Sequence, residues 1–164
     1  RQSRGKPLKL EALGEARLQP LDFTIACRAD RLDQDDRGFL HLYDYKTGAP
    51  PSEAQQKKFE KQLLIEAAMA EEGAFKEIGP AEVARAAFIG LGSTLKEVPA
   101  PLQDQPPTKI WEELKQLIGA YFEQDQGYSS RRMVHRDDIA GDYDHLARFG
   151  EWDRSATPNP EDLT

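Results

Sequence analysis

The 164-residue chain contains a single cysteine, Cys27. No internal disulfide can form. One Cys inside a β-forming run reads as a small core residue rather than a reactive thiol. No apolar run approaches the roughly 18 residues a spanning helix needs. No signal-peptide pattern opens the chain, so a cytoplasmic protein is expected. The first residue is Arg1 rather than Met, which points to a C-terminal fragment of a larger protein. There is no internal repeat, no P-loop and no dinucleotide fingerprint, which excludes a nucleotide-driven motor within these residues. Positive charge is outweighed: 22 Lys and Arg stand against 29 Asp and Glu, so the net charge is −7 and the pI about 5.0. Proteins that hold nucleic acid by themselves usually carry a basic footprint.

What the chain does have is a pair of β-forming runs around a polar break. The first runs from Phe23 to Asp33 and contains Arg28-Ala29-Asp30; the second is Phe39-Leu-His-Leu-Tyr-Asp44-Tyr45-Lys46. Between them lies Gln34-Asp35-Asp36-Arg37-Gly38, and Thr47-Gly48 with Pro50-Pro51 ends the second run. This pattern predicts an antiparallel hairpin. Side chains alternate along a strand, so Leu42, Asp44 and Lys46 share one face. A turn centred on Arg37 sets Asp30 opposite Asp44. Like charges at facing positions destabilise a sheet, and a divalent cation between them is the obvious remedy. On its own, Asp-Tyr-Lys is a common tripeptide, and Lys46 also reads as an edge-strand charge that discourages aggregation.

After the hairpin, Ser52-Glu-Ala-Gln55 is a capping-box pattern. It predicts a helix to about Glu72, stopped by Gly73. Gln55, Phe59, Gln62, Glu66 and Met69 fall on one stripe of that helix, with Leu63, Leu64, Ala67 and Ala68 widening the buried face. Glu82 to Leu91 reads as a buried strand, and Pro99 to Pro107 as a loop. Thr108 is placed to cap a further helix whose Ile110, Trp111, Leu114, Leu117, Ile118, Tyr121 and Phe122 form an apolar core stripe. The best local basic cluster is Tyr128 with Arg131, Arg132, His135 and Arg136. It reads either as a phosphate-contacting, base-stacking patch or as a turn paired with Asp137 and Asp138. Residues 155–164, with Pro158 and Pro160, read as a disordered tail.

Asp30, the polar break, Asp44-Tyr45-Lys46-Thr47-Gly48 and Gln62 on the following helix together resemble the PD-(D/E)XK nuclease superfamily, in its RecB-like exonuclease branch. Ala29-Asp30-Arg31-Leu32-Asp33 and the later run Ala140 to Trp152 are similar to the AddB subunits of bacterial helicase–nucleases. Ala29 stands where the superfamily name has Pro, and Glu66 stands where the branch often has Tyr. No helix bearing the branch's upstream His or Glu is evident; Glu11 and Glu15 fall in an extended or hairpin segment, Leu8 to Leu18. The resemblance implies an α/β, restriction-endonuclease-like core: a small mixed sheet flanked by helices over residues 1–154. It implies a Mg²⁺- or Mn²⁺-dependent DNA exonuclease acting in double-strand break repair beside an AddA-type helicase–nuclease subunit. Asp30, Asp44 and the Tyr45 backbone carbonyl would hold the ion, Lys46 and Gln62 would complete the catalytic set, and Tyr128, Arg131, Arg132 and Arg136 would contact DNA. Some relatives bind an iron–sulfur cluster through four cysteines; with Cys27 alone, none is expected here. The alternative is a non-catalytic, nuclease-like DNA-binding or scaffold module.

Overall fold

In the computed structural model, residues 5–127, 144–146, 148, 150 and 151 are described. The chain divides into two compact units, Arg1–Leu117 and Ile118–Thr164. The first contains all five strands. They run β1 (Lys6–Arg17), β2 (Thr24–Gln34), β3 (Leu40–Lys46), β4 (Val83–Gly90) and β5 (Lys96–Pro99), and the sheet keeps that order. All neighbours pair antiparallel except β3 and β4, which are parallel. The parallel pair requires a crossover. It is made by α1 (Glu53–Lys58) and α2 (Gln62–Glu71). A last helix, α3 (Pro107–Ala120), follows β5. The result is an α/β mixed sheet with flanking helices, of the restriction-endonuclease-like kind. In the second unit the described residues are the end of α3 followed by turns, one closed by Arg148 Nε donating to Glu151 at 2.8 Å.

The hairpin forms where the sequence predicts it. Arg31 faces Tyr43, Leu32 faces Leu42, Asp33 faces His41 and Gln34 faces Leu40, so Arg37 is the centre of the turn. Asp35 builds that turn: its Oδ1 accepts the N–H groups of Arg37 (2.9 Å) and Phe39 (3.0 Å). Gly38, at φ +88°, takes the left-handed conformation that β-carbon-bearing residues avoid. The β2–β3 ladder stops at Arg31 and Tyr43, one step before Asp30 and Asp44. On the β1 side Asp30 has no ladder partner either; the neighbouring Glu11 has φ +48°.

Leu32, Leu42 and Phe88 are fully buried on the sheet, and α2 lies across β1, β3 and β4 with Leu63, Leu64, Ala67, Ala68, Met69 and Ala70 buried. Burying a Leu- or Phe-sized side chain contributes about 1.5–3 kcal/mol, so this layer anchors the sheet.

Three expectations need correction. The helix after Ser52 is two helices. Its capping box is present, with Ser52 and Gln55 bonded reciprocally, but the Gln55 carbonyl accepts from both Phe59 and Glu60 and ends α1. No Gly or Pro marks the break, so periodicity alone reads through it. The stop is as expected: Gly73 at φ +78° donates to the Ala70 carbonyl and Ala74 to that of Met69, the Schellman pattern. Second, α3 begins at Pro107 rather than being capped by Thr108; proline suits a first helical position, whose N–H has no helical partner anyway. Third, the α3 stripe is buried only at Ile110 and Trp111, while Leu117, Tyr121 and Phe122 are exposed. The short strand β5 was not expected from the sequence.

Candidate active site

β3 presents Asp44 and Lys46 side by side on the face that also carries Leu42. Asp44 is 3% exposed and faces Phe88 on β4. The Lys46 ammonium stands 2.9 Å from Asp44 Oδ2 and 5.2 Å from the centroid of the Phe88 ring, whose negative face attracts a cation.

The break between α1 and α2 makes Gln62 the first residue of α2, and its amide lies over the β3 pair. Gln62 Nε2 donates to Asp44 Oδ1 at 2.7 Å, and its Oε1 accepts from Lys46 Nζ at 3.1 Å. The assignment of amide oxygen and nitrogen is fixed by chemistry: an ammonium only donates and a carboxylate only accepts. Asp30 joins from β2. Its Oδ2 accepts the Tyr45 backbone N–H at 2.9 Å, replacing a ladder bond at the splayed end of the hairpin. Thus Asp44, Lys46 and Gln62 touch one another, and Asp30 is tied to the residue between Asp44 and Lys46. The Tyr45 phenol points to the other face and accepts from Arg31 at 3.3 Å. Tyr128, Arg131, Arg132 and Arg136 lie outside the described residues.

Sequence reasoning noted Glu66 as a departure and gave it no role. In the structure it is 5% exposed, and its Oε1 accepts from Gln62 Nε2 at 3.1 Å. Burial pushes its carboxyl up to about 7; the Gln62 hydrogen bond works against that, and the charges of Asp44 and Asp30 add to it. The signal that identifies it is the i, i+4 spacing from Gln62 on one helix face. Nearby on β2, Cys27 is pushed up to about 11, first by burial and then by the charge of Glu66. That describes an unreactive thiol.

A hard cation fits these residues. Asp44 Oδ2 is buried and accepts no hydrogen bond; the Lys46 ammonium is within ion-pair distance but off hydrogen-bond geometry. A buried carboxylate oxygen without a donor is costly, and Mg²⁺ favours such oxygens. Among the described residues no three His, Cys, Asp or Glu side chains converge on one point. An ion here would therefore draw on Asp30, Asp44, the Tyr45 carbonyl and water, in keeping with the several waters Mg²⁺ usually retains.

A separate recess lies elsewhere among the described residues. Of about 800 Å³, it is lined by Asp35, His41, Arg85 and Pro99 to Asp104, among others, and by none of Asp30, Asp44, Lys46 or Gln62. The candidate centre is marked by convergent polar chemistry. No helix among the described residues is long and apolar enough to cross a membrane.

No curated protein matches the chain. A family model does: that of the PD-(D/E)XK nuclease superfamily, over residues 1–150. An Asp-x-Lys pair on the central strand, an Asp on the preceding strand and a helical Gln over both are arranged in a chain matched along nearly all its length, and the chain belongs to the PD-(D/E)XK nuclease superfamily.

Proposed function

We propose that residues 1–154 form a metal-dependent DNA exonuclease domain of the RecB-like branch, in an AddB-type subunit that works with an AddA-type helicase–nuclease during double-strand break repair. Membership in a nuclease superfamily supports the hydrolytic part. The finer assignment is supported by the similarity of the Asp30 and Asp44 runs and of the Ala140 to Trp152 segment to AddB subunits. The observation that carries the catalytic reading is the Asp44–Lys46–Gln62 network with its undonated Asp44 oxygen.

Nucleases of this superfamily typically use divalent metal ions. Asp30, Asp44 and the Tyr45 carbonyl would hold Mg²⁺ or Mn²⁺, which supplies a lowered water pKa and charge neutralisation at a phosphate. Lys46 stands beside Asp44, where it would orient the attacking water or offset negative charge developing on the phosphate. Gln62 holds Lys46 and Asp44 in register by bonding both at once. Asp30 fixes the Tyr45 backbone, and with it the direction of the neighbouring carbonyl. The net charge of −7 fits a domain whose DNA affinity comes largely from its partners. That acidic balance also favours the second reading, a non-catalytic scaffold module.

A strand-labelled linear duplex with Mg²⁺, presented to the full helicase–nuclease, separates the two. Loss of cleavage of one strand in Asp44→Ala and Lys46→Ala, with unwinding intact, supports the nuclease. Wild-type cleavage in both variants leaves the scaffold. Ends degraded stepwise, with covalently closed circles spared, would mark an exonuclease.

A further inference from the structure

We infer that Glu66 is a positioning residue: its buried carboxylate locks the Gln62 amide in the one orientation that serves both Asp44 and Lys46. The inference rests on the nuclease reading proposed above and adds to it a residue at which this chain departs from the family pattern.

The bonding leaves the amide no freedom. A primary amide has two N–H donors and one carbonyl acceptor. One donor goes to Asp44 Oδ1 at 2.7 Å and the other to Glu66 Oε1 at 3.1 Å, while the carbonyl takes Lys46 at 3.1 Å. A flipped amide would aim its oxygen at two carboxylates and its donors at an ammonium. With Glu66 absent, one donor is released and only the Asp44 and Lys46 contacts hold the amide, about a terminal torsion that is broad and soft. The spacing suits the task, since residues four apart on a helix lie on one face.

Packing does not explain the carboxylate. Glu66 sits among Leu63, Leu64, Ala67, Ala68 and Ala70, all buried on the same short helix. Leucine or alanine at this position would avoid the cost of burying a polar group. The carboxylate accepts from the Gln62 amide, so what it gains there is the orientation of Gln62.

The test compares Glu66→Leu, which removes the acceptor, with Glu66→Gln, which keeps one. The first readout is the Gln62 side-chain NH₂ pair in ¹⁵N-glutamine-labelled, metal-free protein, assigned by its loss in Gln62→Ala. In Glu66→Leu one of the two protons should move to the position of a free amide and exchange faster; in Glu66→Gln both should stay. The second readout is cleavage in the full helicase–nuclease. Glu66→Leu should lower kcat about tenfold or more, as groups that orient a metal site do, with KM for DNA unchanged and Glu66→Gln near wild type. Should the leucine variant not fold, Glu66→Ala takes the same test.

An NH₂ pair unmoved in the folded leucine or alanine variant overturns the inference. Calorimetric loss of Mn²⁺ binding in Glu66→Gln with the Gln62 pair unshifted also overturns it, and makes Glu66 a direct ligand. Wild-type protein that cuts no DNA overturns the nuclease reading instead, while the Gln62 resonances still decide on Glu66.

Discussion

Asp33 and Asp44 lie on neighbouring strands of one hairpin, 2% and 3% exposed, yet they live in opposite chemical states. Asp33 is closed: Arg31 Nε and Nη2 bind its two oxygens, each at 2.7 Å, in a fork-on-fork pair. Arg31 also lies 5.5 Å from the Tyr43 ring centroid. Asp44 is more open: one oxygen takes a neutral amide, and the other only the Lys46 ammonium at 2.9 Å, off hydrogen-bond geometry. A guanidinium satisfies a carboxylate with planar geometry; a single mobile ammonium and an amide leave it short. Burial of a carboxylate therefore says little about its role. What separates a structural Asp from one poised for chemistry is whether its lone pairs are already used.

The contrast is open to test by substitution. Asp44→Ala should cause the largest change, a loss of cleavage beyond about 10³-fold, because the proposed ion would lose a ligand. In metal-free protein Asp44→Asn should hold or gain stability, since it removes an under-satisfied buried charge; strand-labelled cleavage and thermal melts read both. A loss of stability in Asp44→Asn as great as that of Asp33→Ala would put it in the same class as Asp33. Next, Lys46→Ala should lower cleavage by about 10²–10³ while leaving the melt nearly unchanged, and Gln62→Ala should do the same more mildly.

Glu66 sharpens the comparison through pH. Its carboxyl titrates near 7 in the folded protein against an ordinary 4.5, so the native state keeps a proton that the unfolded chain has released. Stability from that proton is complete below pH 4.5 and is lost as pH rises through 7, a change of about 3 kcal/mol. Denaturant titrations of metal-free protein at several pH values should show this decline, and Glu66→Gln should flatten it. The smallest effect is expected at Asp33. Because Arg31 is partly exposed and can rehydrate, Asp33→Ala should cost about 1–2 kcal/mol and leave cleavage intact. Loss of cleavage without loss of stability would erase the distinction between the two aspartates.

Much of this arrangement can be read in the chain. The five-residue turn from Asp35 to Phe39 and the alternation of Leu32, Leu40 and Leu42 set the hairpin register, and with it the meeting of the Asp30 and Asp44 segments. Gln62 was legible only through the family pattern, because an isolated glutamine on a helix carries no local signal. The break at Phe59 to Lys61 was not legible: helix ends without Gly or Pro are decided by tertiary contacts rather than propensity. Glu66 lay in plain view, four residues from Gln62, but an acid amid apolar neighbours looks like a solvated position until burial is known. The Arg31–Asp33 pair was missed because i, i+2 partners on a strand compete with cross-strand ones, and the sequence does not say which wins.

The hairpin ladder ends one residue short of Asp30 and Asp44, and there the Tyr45 amide is held by a carboxylate instead of a strand carbonyl. Its hydrogen-exchange rate therefore depends on a side chain that the proposed ion would also claim. An ion drawing on Asp30 would compete for the oxygen that protects this amide, or tighten the whole corner around it. Either way, Tyr45 becomes a built-in gauge of site occupancy, readable with no DNA present. A change confined to that amide when Mg²⁺ is added would report the state of the centre before any bond is cut.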